Sequence, residues 1–312
     1  SPKAGLPAVA DGRPFLPYSA DSFFRSTLQD APVDRAATRS FRVFMRAHSD
    51  QDRLDYPVIR GVGANRWGTV YAEGRASDPV WRLAGRVPPE VSVLRREGFH
   101  APEWLGEALT RTSDSPFVVV DRASGWSIWG AKARDVGGNV IRVGAAGLFE
   151  HDSNGLDLRN PLADSRVNFR SRGAIPDAMV IRRDLMAYAQ ATNGDLGHVL
   201  HMFFVETDSS AGHVHPMVGE ESGKHGWGAA GTRIAVGPDV DLSRRDCSPA
   251  ALVIARTLQR HGTYLGDNAS QGAGLKAEQE TDAASWEGTL SEDEMEGCIR
   301  WNDFVVIEAG WQ

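Results

Sequence analysis

With 312 residues, 41% of them apolar and 24% charged, the chain has a globular composition and can bury a sizeable core. Its formal net charge of −7 speaks against DNA, RNA or an anionic membrane as the main partner, because each of these needs a basic surface. No apolar run approaches the ~20 residues of a membrane-spanning helix, so no membrane insertion is expected.

In chain order, the first segment (1–17) carries Pro2, Pro7, Pro14 and Pro17 and reads as an extended arm. The start Ser1-Pro2-Lys3 lacks Met and resembles the trimmed end left after signal-peptide removal, which implies a secreted, extracellular protein. The remainder, 18–312, is expected to form one β-rich domain. Val33 to Ala47 places apolar residues at helical spacing. Strand-like pieces follow at Pro57–Ile59, Gly68–Tyr71 and Pro79–Leu83.

Phe117–Val120 and Trp126–Trp129 flank Asp121-Arg122-Ala123-Ser124-Gly125, the chemistry of a hairpin turn. Asn139–Val143 reads as another strand. The polar stretch from Ala145 to Arg172 reads as one long loop. A helix is expected over about Ala178–Ala191, closed by Asn193-Gly194, and an apolar strand over His198–Glu206. Ser248-Pro249 opens a further helix that Gly262 ends. A last strand runs from Asp303 to Glu308. Strands dominate without regular strand–helix alternation, so the expected fold is mainly β, a sandwich or jelly-roll-like domain with a few peripheral helices. Cys247 and Cys298 either form a single disulfide or remain two buried thiols.

The chemistry-bearing residues concentrate late in the chain. His198, His201, His213, His215 and His225 are the strongest local signal, since imidazole serves both as base and as metal ligand. On a strand, period two puts His198, Leu200, Met202, Phe204 and Glu206 on one face, and Val199, His201 and Phe203 on the other. His-x-x-His on a strand therefore does not chelate one metal. Asp152 to Asp157 echoes a calcium loop but lacks its terminal bidentate Glu. No metal and no cofactor is expected. Nine Trp against five Tyr is a heavy load of flat stacking surfaces. Trp126 and Trp129 lie three apart on a strand, so only one of them can line a given cleft. The Gly-x-Ser-x-Gly elbow, the phosphate loop and the His-Glu-x-x-His box are absent.

Several segments resemble, in order, a broad family of exported bacterial proteins without a settled mechanism. These are Ser19-Ala20-Asp21-Ser22-Phe23-Phe24, the hairpin from Asp121 to Ala131, Gly197-His198-Val199-Leu200, Gly231-Thr232-Arg233 and Tyr264-Leu265-Gly266-Asp267-Asn268. The resemblance implies export and a loose link to polysaccharide degradation. The family's hairpin carries an acidic residue where this chain has Ser127.

Together these readings point to an exported carbohydrate-active enzyme that cleaves glycosidic bonds, by hydrolysis rather than β-elimination; the alternative is a non-catalytic glycan-binding or cell-envelope protein. Hydrolysis needs a proton donor and an opposed base or nucleophile. The expected catalytic residues are His198, Asp267 and Glu206, with Asp121 a further carboxylate. The expected substrate-binding residues are Trp126, Trp129, Arg233, Asn268 and His215. The expected partner is a polysaccharide or oligosaccharide.

Overall fold

The computed structural model describes residues 5–9, 12–48, 54–164, 172, 180–269 and 272–311. Among these the protein is mainly β, with fourteen strands in three sheets and five α-helices. The described part of the N-terminal arm, residues 5–9 and 12–17, has neither helix nor strand, in keeping with its prolines.

The largest sheet has six strands: β1 (Val58–Arg60), β10 (Leu200–Phe204), β11 (Arg233–Val236), β12 (Thr263–Asn268), β13 (Gly274–Lys276) and β14 (Phe304–Val306). Their order is β1-β13-β10-β12-β11-β14. A second sheet orders β2 (Val70–Gly74), β5 (Phe117–Asp121), β6 (Trp126–Ala131) and β9 (Ala145–Glu150) as β2-β5-β6-β9. The third orders β3 (Val80–Gly85), β4 (Phe99–His100), β7 (Arg134–Asp135) and β8 (Val140–Val143) as β4-β3-β8-β7.

All three sheets are open, and four of their pairs are parallel: β1 with β13, β10 with β12, β2 with β5, and β3 with β8. Parallel neighbours need long crossovers, which sets this order apart from the antiparallel hairpins of a jelly roll. The expected long loop from Ala145 begins instead as β9, whose Ala146, Leu148 and Phe149 are buried against β6.

Helices cover the six-stranded sheet. In α1 (Arg35–His48) the Asp34 carboxylate caps the first turn by accepting the Ala37 N–H at 2.8 Å. Phe41 and Met45, one turn apart, bury against Trp301 and Phe304. The helix α5 (Pro249–Arg260) starts as its sequence dictates. Ser248 Oγ accepts the Ala251 N–H at 3.1 Å and Pro249 occupies the first helical position. The helix α4 (Arg183–Thr192) stops at Asn193, whose φ of 53° is the left-handed conformation Asn tolerates at a helix end. Two short helices, α2 (Val93–Arg96) and α3 (Leu105–Ala108), close the smaller core between the second and third sheets.

The chain crosses between sheets at one seam. Beyond β13, Glu278 pairs with Thr69 and Ala277 with Ile181 as parallel bridges. The Thr69 N–H reaches Ala277 O at 3.1 Å and the Gln279 N–H reaches Thr69 O at 2.8 Å. The segment leading into β2 is thereby stitched to the edge of the six-stranded sheet.

Cys247 and Cys298 form a disulfide across a separation of 51 residues. It ties the entry to α5 to the segment that leads into β14. Closing a loop of that length restricts the unfolded chain by about 4 kcal/mol in the loop-entropy model. Replacing both cysteines by serine is expected to lower unfolding free energy by about 3–4 kcal/mol, read as a fall in denaturant midpoint together with a steeper slope, because the released unfolded chain exposes more surface.

Candidate functional site

Where the sheets meet at the seam lies a cleft of about 370 Å³. One wall comes from the second sheet and its approaches: Thr69, Pro116, Trp129, Ala131 and Lys132. The other comes from the six-stranded sheet: His201, Phe203, Asp267, Asn268 and Lys276. Arg172 and Glu221 reach in from loops.

The period-two reading of β10 holds. Leu200, Met202 and Phe204 point into the main core, while His201 and Phe203 face the cleft. His201 lies over Gly266 of the neighbouring strand. A Cβ at 266 would fall 1.4 Å from its Nε2, so only glycine fits there. Nε2 accepts the Asp267 backbone N–H at 3.2 Å. An amide N–H can only donate, so this nitrogen is the unprotonated one, and its lone pair is occupied. His201 therefore fixes the start of the Asp267-Asn268 pair and is not available there as a base. Its ring also packs on Phe203, centroids 4.6 Å apart, and the Lys276 ammonium sits 4.1 Å from the centre of the Phe203 ring.

Arg172 joins the polar groups. Its Nη1 donates to Asp267 Oδ1 at 2.6 Å, and its Nη2 is 3.7 Å from Glu221 Oε1. Glu221 Oε1 also accepts the Asn268 N–H at 3.1 Å, and its other oxygen is 3.7 Å from Lys224 Nζ. Asn268 Oδ1 accepts both the N–H and the hydroxyl of Thr207, at 2.5 and 3.2 Å. That fixes the orientation of the amide.

Of the residues expected from the sequence, the cleft gathers Asp267, Asn268 and Trp129. The others lie elsewhere. His198 is fully buried in the main core, stacked on Phe24 at 5.0 Å, with Nδ1 against Val199 O at 2.8 Å. It precedes β10, so its ring goes into the core with Leu200 and away from the cleft. Burial, aided by the nearby Arg182 charge, pushes its imidazole down to about 3. Glu206 is half-buried past the end of β10, outside the cleft lining, and its carbonyl receives the Trp227 N–H. Trp126 packs against the smaller core, on the face opposite Trp129.

Arg233 and His215 line a different pocket. Asp121 is a turn residue. Burial raises its carboxyl, but hydrogen bonds from the His100, Ala123 and Ser124 backbone N–H groups and from the His100 side chain outweigh that and hold it below the usual range. Asp157, from the stretch that echoes a calcium loop, has its carboxylate paired with Arg159. Among the described residues no group of three His, Cys, Asp or Glu is placed to hold a metal ion, and no helix is long and apolar enough to cross a membrane.

Sequence reasoning missed Arg172, Glu221, Lys132 and Lys276. Lys276 belongs to a three-residue strand too short to show alternation, and Glu221 and Arg172 sit on polar segments with no periodicity. For Gly266, which allows the close approach of His201, the signal was present: a single glycine after Tyr264-Leu265 in a strand marks a place that another group crosses.

No protein-family model, no curated protein and no solved structure matches this chain. The site thus rests on its own geometry.

Two outcomes test this arrangement. Gly266→Ala should destabilise the protein by about 1–3 kcal/mol by expelling the His201 ring, and adding His201→Gly should recover most of that loss in chemical denaturation. For His198, the imidazole takes a proton in the unfolded chain below its ordinary value of 6.5 but in the folded chain only near 3. Its contribution is therefore complete above 6.5 and is lost as pH falls toward 3. His198→Phe should reduce the slope of stability against pH between about 6 and 4 by about 1.4 kcal/mol per unit relative to the native chain.

Proposed function

We propose that the protein is an exported carbohydrate-active enzyme that hydrolyses glycosidic bonds in the cleft at the seam, with Asp267 and Glu221 as its carboxyl pair. The observation that carries this reading is the convergence of these two groups on one guanidinium, that of Arg172, inside a cleft walled by Trp129. Glycosidases of both stereochemical classes work with two carboxyl groups facing one opening, and the shared guanidinium brings this pair to the same opening. Asp267, held at 2.6 Å by Arg172, takes the role of base or nucleophile in this reading. Glu221, whose contact with Arg172 is longer at 3.7 Å, is the proton donor to the leaving oxygen. Trp129, largely buried, contributes only an apolar margin to the cleft, and Lys132 and Lys276 supply the cations that hydroxyl or carboxylate groups of a sugar would meet. The resemblance of the segments around His198, Arg233 and Asp267 to exported proteins linked with polysaccharide degradation agrees with this assignment.

One observation favours the non-catalytic reading. Arg172 pairs with both carboxylates, and a cation beside a carboxylate favours its charged form, which suits binding better than proton donation. The two readings separate in one experiment. A polysaccharide panel is assayed for new reducing ends, for the absorbance of unsaturated uronates, and for retention of the protein on each glycan. Hydrolysis gives reducing ends without the absorbance, and Asp267→Asn and Glu221→Gln each lower turnover by roughly 100-fold or more while the fold persists. Retention without release supports binding alone. Neither release nor retention on any glycan overturns both readings.

A further inference from the structure

Away from the cleft, Arg233 is a cation set into the protein with no anion to meet it. It is only 5% exposed. Its Nε and Nη2 donate to His261 O at 2.9 and 2.5 Å, Nη2 also to Ser26 O at 3.1 Å, and Nη1 to Ser26 Oγ at 3.0 Å. A guanidinium carries five N–H donors, so one on Nη1 is left over. Among the described residues no carboxylate pairs with it; its charge faces only carbonyl dipoles and the Tyr264 ring, 5.3 Å away. A buried charge without a counter-ion is costly, and an anion placed beside it recovers that cost.

Arg233 opens onto a pocket of about 180 Å³ whose other walls include Trp227, Trp311, Tyr264 and His215. The two indole N–H groups are engaged, Trp227 with Ser40 Oγ at 3.0 Å and Trp311 with Thr27 O at 2.9 Å, which fixes both rings. Asp34 and Glu308 also line the pocket. The Asp34 carboxylate is committed to capping α1, and Glu308 is exposed to solvent. The volume lies below the roughly 300–1,000 Å³ of sites for drug-sized ligands.

We propose that this pocket is a second ligand site, independent of the cleft, that takes a small acid with a flat apolar body, its carboxylate on Arg233 and its body between the tryptophan-bearing walls. The arginine suits a carboxylate by its charge and by the one Nη1 N–H left to donate to it, and the aromatic walls suit a planar body. The test uses benzoate and its uncharged analogue benzamide on the full chain, followed by calorimetry and by the indole N–H signals of the nine tryptophans. Benzoate is expected to bind saturably, to bind at least tenfold more tightly than benzamide, and to shift the Trp227 and Trp311 signals selectively. Trp311→Ala, at the edge of the fold, should weaken benzoate at least tenfold, and Arg233→Gln should abolish the preference for the acid. Equal binding of benzamide, the absence of saturable benzoate binding, or shifts spread over the other indoles overturns the proposal. Should Arg233→Gln fail to fold, the contrast between the two ligands on the native chain still decides.

Discussion

The cleft depends on one contact between strands: the imidazole of His201 lying on Gly266. In a regular parallel pair the backbone of one strand meets the backbone of the next, and side chains stand clear of both. Here a side chain from β10 reaches across to β12 and takes the Asp267 N–H that a carbonyl would otherwise receive. The register between the two strands shifts in the same place, between Met202 and Phe204. The absence of a Cβ at 266 permits the crossing, and the ladder resumes one step out of register, with Asn268 opposite Phe204. The backbone N–H of Asn268 then goes to Glu221, which draws a loop residue to the same place.

A second constraint places a wall opposite. Residues 277–279 continue past β13 and pair with Thr69 and Ile181, so the edge of the large sheet and the entry to the second sheet share hydrogen bonds. Two sheets joined along a short seam diverge on either side of it because each sheet twists. The gap between them is lined by what each presents there: Trp129 and Ala131 from β6, His201 and Phe203 from β10. Alternation along β6 leaves Ser127 on the same face as Trp129. Its hydroxyl is occupied by His151 Nε2 at 3.1 Å, beside Phe15 of the arm, whose ring packs tilted against the same imidazole, centroids 5.1 Å apart. The arm thus covers that sheet face beyond the cleft.

Much of the local structure was legible because it is written in local chemistry. The Ser248-Pro249 start of α5, the Asn193 stop of α4 and the hairpin between β5 and β6 follow from residues within a few positions of each other. Alternation along β10 separated His201 from Leu200 and Met202, and alternation along β6 put only one of Trp126 and Trp129 in the cleft. What was not legible depends on pairing at long range. That β10 runs parallel to β12, that a three-residue strand at 274–276 sits between β10 and β1, and that Arg172 and Glu221 arrive beside Asp267 are all decided by contacts far apart in sequence. Alternation also grouped His198 with Leu200 and Met202, and its ring lies on that side against Phe24; alternation alone did not say that this face is the core and not the cleft.

Arginine marks the difference between the two sites most clearly. Arg172 is partly exposed and surrounded by carboxylates, so its charge is matched and the ligand-facing chemistry passes to the acids it holds. Arg233 is buried among neutral acceptors, two carbonyls and the Ser26 hydroxyl, which satisfy four of its five N–H groups without neutralising it. Hydrogen bonds to neutral acceptors orient a guanidinium but leave its net charge in a medium of low dielectric, where it acts over longer distances than at the surface. The same side chain is therefore a clamp on acids in one setting and an unmet demand for an acid in the other. That contrast follows from burial and partner type, not from residue identity, and the sequence alone placed Arg233 with the residues of the cleft.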